Sequence, residues 1–192
     1  MPPVRIGPLV PDDPEGVAGA SRVLHAAFLD SSYSWQTLEA AREEVLESLG
    51  PGRISLVARD EAGEVVGWAG GIREYARVWE LHPLAVTPSM QRRGVGRALV
   101  AALEERVAAE GALVLHLGTD DERGPAFPEG RTSLFGVDLY PDPLKHLLTI
   151  RNLRGHPYEF YLRCGFSVAG VVPDASGIGE PDILMAKRVA SG

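Results

Sequence analysis

The chain has 192 residues, 45% of them hydrophobic and 23% charged, which is typical of a globular domain long enough for a buried core. Its net charge of −7 argues against nucleic acid as the main partner and is compatible with a cationic one. A single cysteine excludes an internal disulfide framework, and no run approaches the roughly 20 apolar residues of a membrane span, so we expect a cytoplasmic protein without membrane attachment.

Hydrophobic periodicity, caps and turn residues divide the chain into alternating strands and helices. In chain order, the sequence predicts a strand at 4–9, a helix from Pro14 with Asp13 as N-cap, a helix at 38–49, strands at 53–59, 64–74 and 78–86, a helix at 94–110, a strand at 112–117, short helices at 143–150 and 157–164, and strands at 166–172 and 183–189 joined by a polar loop. The three central strands have short connections and should be antiparallel. Gly67, Gly70 and Gly71 within them indicate a bulge or a close approach by another element.

This order of elements predicts a mixed α/β arrangement in one domain over residues 1–192. The strand at 112–117 follows a crossover helix, so it should lie parallel to the strand at 78–86. The long segment 119–142 holds six acidic residues and two arginines, a local charge of −4, in a chain that has a basic turn elsewhere. Two ligands of opposite charge would explain this contrast, and a solvated acidic loop is the alternative.

That basic turn joins the strand at 78–86 to the next helix and reads Gln91-Arg92-Arg93-Gly94-Val95-Gly96. Its glycines let the backbone approach a ligand, and the helix start offers N–H donors and the positive end of a dipole. With the charges of Arg92, Arg93 and Arg97, the turn is typical of a pyrophosphate site. It matches neither a Walker loop nor a Rossmann fingerprint, and an ordinary strand–turn–helix connection is the alternative.

A few polar side chains are placed where they could do chemistry. Glu80 and His82 alternate on their strand and so project from one face, where a carboxylate can hold or deprotonate an amine and an imidazole can relay its proton. Exposed polar residues on an alternating strand are the alternative. Tyr161 shares a helix face with Tyr158, which is also explained by aromatic packing, and Asn152 suits either an amide-rich ligand or a local turn.

No metal site is expected. The five histidines and Cys164 have no metal-ligand spacing, and Asp120-Asp121-Glu122 lacks an EF-hand pattern. Cys164 lies near a helix end, without the N-terminal dipole that would activate it, and is interpreted as a packing residue. A G-x-S-x-G nucleophile elbow is also absent from the sequence.

The turn at 91–96 resembles the acetyl-CoA loop of the GCN5-related N-acetyltransferase superfamily. Further segments resemble the aminoglycoside 6′-N-acetyltransferases: WELHPL at 79–84, LGTDD at 117–121, DLY at 138–140, NLRGHPYEFY at 152–161, GVVPDA at 170–175 and PDI at 181–183. The resemblance extends from about residue 65 to 187 and is weak before that. It implies a single acetyltransferase domain whose central mixed, mostly antiparallel sheet is flanked by helices and splayed open between the strands at 78–86 and 112–117.

The resemblance also implies acetyl-CoA as acetyl-donating cosubstrate and assigns roles to residues. The implied catalytic residues are Glu80, His82 and Tyr161, the last as the acid that meets the leaving thiolate. The implied cofactor contacts are Leu84, Ala85, Val86, Gln91, Arg92, Arg93, Gly94, Val95, Gly96, Arg97 and Asn152. The implied substrate contacts are Phe28, Tyr75, Trp79, Glu80, Asp120, Glu122, Glu129, Asp138 and Asp182.

The chemistry implied is direct acyl transfer to the 6′-amine of an aminoglycoside. Transfer to another small cationic amine, such as a polyamine, and a non-catalytic acyl-CoA-binding module are the alternatives. The segment 123–130 looks like an insertion relative to the family and falls where the substrate should bind, so the sequence leaves the acceptor open. A homodimer is implied by the resemblance alone, and a role in antibiotic resistance is left open.

Overall fold

The computed structural model describes residues 4–29 and 35–189, and within them the chain has an α/β fold. The helices are α1 Pro14–Ala27, α2 Leu38–Glu47, α3 Val95–Ala109, α4 Pro143–Leu147 and α5 Tyr158–Arg163. The strands are β1 Arg5–Pro8, β2 Arg53–Arg59, β3 Val65–Tyr75, β4 Val78–Val86, β5 Val114–Asp120, β6 Ser167–Gly177 and β7 Glu180–Arg188. They form one seven-stranded sheet in the order β1-β2-β3-β4-β5-β7-β6. The β1–β2, β2–β3, β3–β4 and β6–β7 pairs are antiparallel, so the predicted fold class is confirmed.

Backbone contacts group the described residues into two compact units. The first unit comprises residues 4–29, 35–115 and 188–189, and the second comprises residues 116–187. The single domain over 1–192, the parallel direction of β5 and the splay of the sheet stay predictions. No helix of the described residues is long and apolar enough to cross a membrane.

In the first unit, α1 and α3 cover opposite faces of β3. A Cβ atom on Gly67 or Gly71 would come within 2.9 Å of a leucine of α3, Leu99 or Leu103 respectively. Trp68 lies between these glycines in sequence, projects from the other face, and joins a buried cluster with the apolar side of α1. The residues of α1 in that cluster are Val17, Ala20, Val23 and Leu24. The close approach predicted at the glycines is therefore confirmed.

Gly70, the remaining glycine of β3, lies opposite a bulge in β4. The pairs on either side of it show that Gly70 of β3 faces two residues of β4, His82 and Pro83. A Cβ atom on Gly70 would collide with the carbonyl oxygen of His82. A proline has no N–H to donate and is tolerated in a strand at such a bulge. The glycine therefore does mark a bulge, but the extra residue belongs to β4 and not to the strand of the glycines, and the bulge includes the candidate catalytic residue His82.

The last hairpin of the second unit differs from the prediction. The sequence predicts a polar loop between strands ending at 172 and beginning at 183, whereas β6 extends to Gly177 and β7 begins at Glu180. A shift in register between Val172 and Gly177 accommodates the turn-forming residues. One of them, Asp174, has a φ of 54° and accepts a hydrogen bond from the N–H of Gly179 at 2.6 Å. The polar residues therefore bulge the strand without ending it.

Candidate active site

The turn between β4 and α3 has the backbone geometry of an anion site. Arg92 and Gly94 have positive φ angles of 57° and 89°. Helix α3 begins directly after Gly94, and no side chain within residues 4–29 and 35–189 caps its first N–H groups. The side-chain amide of Gln91 donates to the carbonyl of Val86 at 3.2 Å and closes the turn onto the end of β4. The start of α3 can therefore offer its N–H groups to an anion.

Charge at this turn comes from arginines that face solvent. Arg92, Arg93 and Arg97 are exposed, Gly96 is half-buried in the first turn of α3, and the side chain of Val95 is buried. The guanidinium groups thus lie at the positive end of the α3 dipole, with the helix start anchored by Val95. The predicted cofactor residues 91–97 are brought together here, and their binding of a pyrophosphate stays a prediction.

The end of β4 carries the three predicted backbone contacts to the cofactor. Ala85 is buried and belongs to the cluster that contains α1, whereas Leu84 and Val86 are half-buried. The bulge at His82 and Pro83 lies immediately before them. Their contact with pantetheine stays a prediction.

Glu80 and His82 project from one face of β4, as predicted. Both are half-buried, while Trp79 and Leu81, which alternate with them, are buried. The Nε2 atom of His82 lies 3.9 Å from Oε1 of Glu44 on α2, and 41% of the His82 side chain is exposed. The imidazole is therefore reachable from solvent and has a carboxylate beside it.

Two residues around His82 were missed by the sequence reasoning, Trp35 and Glu44. Oε2 of Glu44 accepts the indole N–H of Trp35 at 3.3 Å, and the rings of Trp35 and His82 are 5.9 Å apart. Phe28, a predicted substrate contact, packs edge-on against Trp35 with centroids 4.8 Å apart. We call Phe28, Trp35, Glu44 and His82 the His82 cluster. Its sequence signal is weak, because Glu44 is one of several glutamates on an amphipathic helix.

Tyr75 and Trp79, also predicted substrate contacts, have different surroundings. Tyr75 is 70% exposed at the end of β3. Trp79 is 3% exposed, and its indole N–H has no hydrogen-bond partner among the described residues. Because Trp79 alternates with Glu80, it projects from the opposite face of β4. Substrate contact by either residue stays a prediction, and packing accounts for the position of Trp79.

In the second unit, Tyr161 lies on α5 with 8% of its surface exposed. Its ring packs edge-on against Phe160 and Phe166, with centroids 5.0 and 5.8 Å away. Tyr158 is buried on the same helix, so the shared face is as predicted. Burial raises the pKa of Tyr161, and the nearby Cys164 adds to this effect. The phenol therefore keeps its proton and can donate a hydrogen bond.

Asn152 is held inside a tight loop of the second unit. Its amide group donates to the carbonyl of His156 at 2.9 Å and accepts from the N–H of His156 at 2.8 Å. His156 is itself buried, with Nε2 3.1 Å from the carbonyl of Asp120 and Nδ1 accepting the N–H of Tyr158 at 3.1 Å. Burial lowers the pKa of His156 to about 4, although Asp121 and the Asp120 carbonyl act in the opposite direction. Asn152 therefore stabilises a local turn through its side-chain amide, and its contact with a cofactor stays a prediction.

Internal contacts engage part of the acidic segment. The side chain of Asp121 is fully buried and accepts the N–H groups of Arg131 at 2.6 Å and Thr132 at 2.8 Å. Glu129, a predicted substrate contact, forms an ion pair with Arg154 at 2.9 Å. Three more carboxylates of the segment accept hydrogen bonds from within the chain: Asp120 from the Ser176 hydroxyl, Asp138 from the N–H of Tyr140 and Asp142 from the N–H of Lys145. At least five of the six are therefore engaged by the chain itself, which reduces the charge that a cationic ligand would meet.

The other predicted carboxylates of the second unit are more accessible. Asp120 and Asp138 are exposed, and Glu122 and Asp182 are half-buried. A Cβ atom on Gly118 would collide with the carboxylate of Asp182, so this glycine makes room for the acidic side chain. Across residues 4–29 and 35–189, no group of three or more His, Cys, Asp and Glu side chains could hold a metal ion.

The segment 123–130, which looks like an insertion in the sequence, is anchored within the second unit. The backbone N–H of Arg123 donates to a carboxylate oxygen of Glu180 at 3.0 Å. At the other end, the guanidinium of Arg131 lies 4.1 Å from the ring centroid of Phe127, a cation–π contact. The segment therefore has defined contacts at both ends.

Comparison with known proteins relates this chain to acetyltransferases. The profile described as Acetyltransferase (GNAT) family matches residues 21–128. A crystal structure of an aminoglycoside 6′-N-acetyltransferase complexed with coenzyme A is 35% identical, with 98% of both chains covered and a TM-score of 0.85. The aminoglycoside 6′-N-acetyltransferase from Enterococcus faecium is 36% identical, with the same coverage and a TM-score of 0.84.

A protein from Mycobacterium leprae, described as uncharacterized, is 33% identical over 127 residues. The match covers 62% of this chain and 32% of that protein, so this chain spans about a third of the length of this relative. The profile match includes more than half of the chain, from the middle of α1 through β4, the glycine–arginine turn and α3. The chain therefore belongs to the GNAT family of acetyltransferases.

Proposed function

We propose that the chain is an acetyl-CoA-dependent N-acetyltransferase whose acceptor is the 6′-amine of an aminoglycoside. The observation that carries the proposal is the 35–36% identity, over 98% of both chains, to two aminoglycoside 6′-N-acetyltransferases. One fold hosts many activities, so the acceptor must be argued from the site and tested by experiment.

The acetyl donor follows from family membership, and one of the solved relatives was crystallised with coenzyme A. The uncapped N–H groups at the start of α3, with Arg92 and Arg93, would bind its pyrophosphate. Backbone groups of residues 84–86 would bind the pantetheine arm. A backbone N–H directed at the thioester carbonyl would stabilise the oxyanion that forms during transfer.

The acceptor amine must lose a proton before it attacks. Glu80 would hold the ammonium group, and His82 would take up its proton. The amine nitrogen then bonds to the thioester carbonyl carbon, and the carbon–sulfur bond breaks as the tetrahedral intermediate collapses. Tyr161, which keeps its proton, would donate a hydrogen bond to the departing thiolate, and the thiolate takes up the second proton, which the nitrogen loses as it becomes the amide. The products are the acetamide, the thiol of coenzyme A and one proton.

The electrostatics of the second unit support a cationic acceptor. Asp120, Glu122, Asp138 and Asp182 are the carboxylates proposed to attract it. The ion pair of Glu129 with Arg154 leaves Glu129 less negative toward a ligand, so we expect it to contribute less than the other four. Segment 123–130 looks like an insertion relative to the family, where the substrate should bind, so a second candidate is transfer to a different small cationic amine such as a polyamine.

Release of free thiol by the purified protein with acetyl-CoA tests these alternatives. Faster turnover with kanamycin-like acceptors than with polyamines would support the proposal, and the reverse order would support the second candidate. A non-catalytic acyl-CoA-binding module would bind acetyl-CoA without turnover and would be indifferent to Glu80→Gln and Tyr161→Phe. We also propose a homodimer, which light scattering at the assay concentration would test.

A further inference from the structure

We propose that Glu44 of α2 is a positioning residue that orients the imidazole of His82 for proton transfer, an inference that rests on the proposed function. Glu44 lies within the residues that the family profile matches, but none of the short segments singled out in the sequence analysis includes it. It enters the site only through the fold, which brings α2 beside β4 at His82.

The carboxylate of Glu44 is fixed between two rings. Its Oε2 accepts the indole N–H of Trp35 at 3.3 Å, and its Oε1 lies 3.9 Å from Nε2 of His82. Only 19% of the Glu44 side chain is exposed, compared with 41% of His82. The distance to His82 is that of an ion pair and is longer than a hydrogen bond, so the carboxylate acts on the imidazole through its charge.

This arrangement has a consequence for the imidazole. A carboxylate beside Nε2 favours the tautomer that carries its hydrogen on Nε2. Nδ1 then keeps its lone pair and can accept a proton from the acceptor amine. Like the orienting carboxylate of a catalytic triad, Glu44 lies beside the ring nitrogen that does not take up the proton, but at ion-pair distance and not in a hydrogen bond.

The backbone at Trp35 supports the same inference independently. Trp35 has a φ of 48°, a conformation that a bulky side chain rarely adopts. Three contacts hold it there: the edge-on ring of Phe28 at 4.8 Å, the bond from its indole to Glu44, and Nδ1 of His25 at 3.0 Å from its carbonyl. Strained residues that persist because several contacts fix them are typical of functional sites. The position of the indole, and with it that of the Glu44 carboxylate, is therefore determined by the surrounding structure.

A double-mutant cycle tests the role of Glu44 through activity. Glu44→Gln should lower kcat about tenfold and leave the KM for acetyl-CoA within about twofold, since the donor site is not touched. Glu43→Gln, an exposed neighbour on α2, is the matched control and should change neither. In a His82→Gln background, Glu44→Gln should cause no further loss. An equal loss with and without His82 would overturn the proposal, because Glu44 would then act independently of the imidazole.

Nitrogen-15 NMR of the histidine side chains tests the same point without any acceptor, with the His82 signals assigned by their loss in His82→Gln. At a pH where the imidazole is neutral, we expect the Nε2–H tautomer in the unmodified protein and in Glu43→Gln. In Glu44→Gln we expect a shift toward the Nδ1–H tautomer, because the glutamine amide can donate to Nε2. The same tautomer in all three proteins would overturn the inference. A substrate panel without turnover would refute the aminoglycoside proposal and leave this readout intact.

Discussion

Acid is expected to destabilise the protein through His156. In the native state Nδ1 of His156 accepts a hydrogen bond from the backbone N–H of Tyr158. A proton on Nδ1 would place two N–H donors opposite each other and break this hydrogen bond. Burial lowers the pKa of this imidazole from 6.5 to about 4, whereas in the unfolded chain it returns to its ordinary value. The unfolded state therefore binds a proton first as the pH falls, and stability is lost between pH 6.5 and 4.

The magnitude follows from the same two values. One pKa unit corresponds to about 1.4 kcal/mol, so the free energy of unfolding should fall by about 2 kcal/mol by pH 5 and about 3 kcal/mol below pH 4 through His156 alone. Carboxylates also contribute to acid unfolding, so the informative quantity is the difference between the protein and a variant.

Urea unfolding of the unmodified protein and of His156→Gln at several pH values between 7 and 4.5 measures this difference. The variant should start less stable and should lose less stability on acidification. His146→Gln, which replaces a half-buried histidine of α4, is the control and should keep the original pH dependence. If the free energy of unfolding falls equally with pH in His156→Gln and in the unmodified protein, His156 is not a source of the acid sensitivity. If His156→Gln does not fold, an NMR titration of His156 that gives an ordinary histidine midpoint would refute the prediction equally.

Three further predictions concern glycines and a tyrosine. Gly94→Ala places a side chain at a φ of 89° and should raise the KM for acetyl-CoA about fivefold. The control is Gly111→Ala, at a φ of 80° at the other end of α3, which should lower stability by a similar amount and leave the KM for acetyl-CoA unchanged. Equal KM values for the two variants in steady-state kinetics would contradict this prediction. Tyr161→Phe should lower kcat about tenfold with little change in Tm, because the ring packing is kept, and unchanged kcat would favour the packing role alone. Gly118→Ala should destabilise the protein by about 1–3 kcal/mol in urea unfolding, since its Cβ would collide with Asp182, and a neutral effect would mean that the carboxylate can move aside.

Features encoded by neighbouring residues could be predicted from the sequence. The glycine–arginine turn is local: one residue must adopt positive φ before a helix, and Gly94 does so. The alternation of side chains along a strand is also a local property, and it predicted that Glu80 and His82 project from one face. The three glycines of β3 were informative because a missing side chain has few explanations inside a strand.

Features that depend on contacts between distant segments could not be predicted. Glu44 is close to His82 only because α2 packs near β4, and the sequence around Glu44 reads as an ordinary helix surface. Asp121 counted as a free charge in the sequence, yet it is buried and accepts two backbone N–H groups from residues ten or more positions away. The polar loop predicted between residues 172 and 183 rested on local turn preference, whereas pairing between β6 and β7 continues to Gly177 and Glu180.

The acceptor is the central claim, and a substrate panel tests it most directly. Purified protein with acetyl-CoA is assayed for thiol release with aminoglycosides that carry a 6′-amine, matched aminoglycosides that carry a 6′-hydroxyl, and polyamines, and the products are identified by mass spectrometry. We predict turnover with the 6′-amines, a gain of one acetyl group at that position, and little turnover with the other two classes. Equal turnover of the 6′-hydroxyl compounds, or a preference for polyamines, would contradict the proposal.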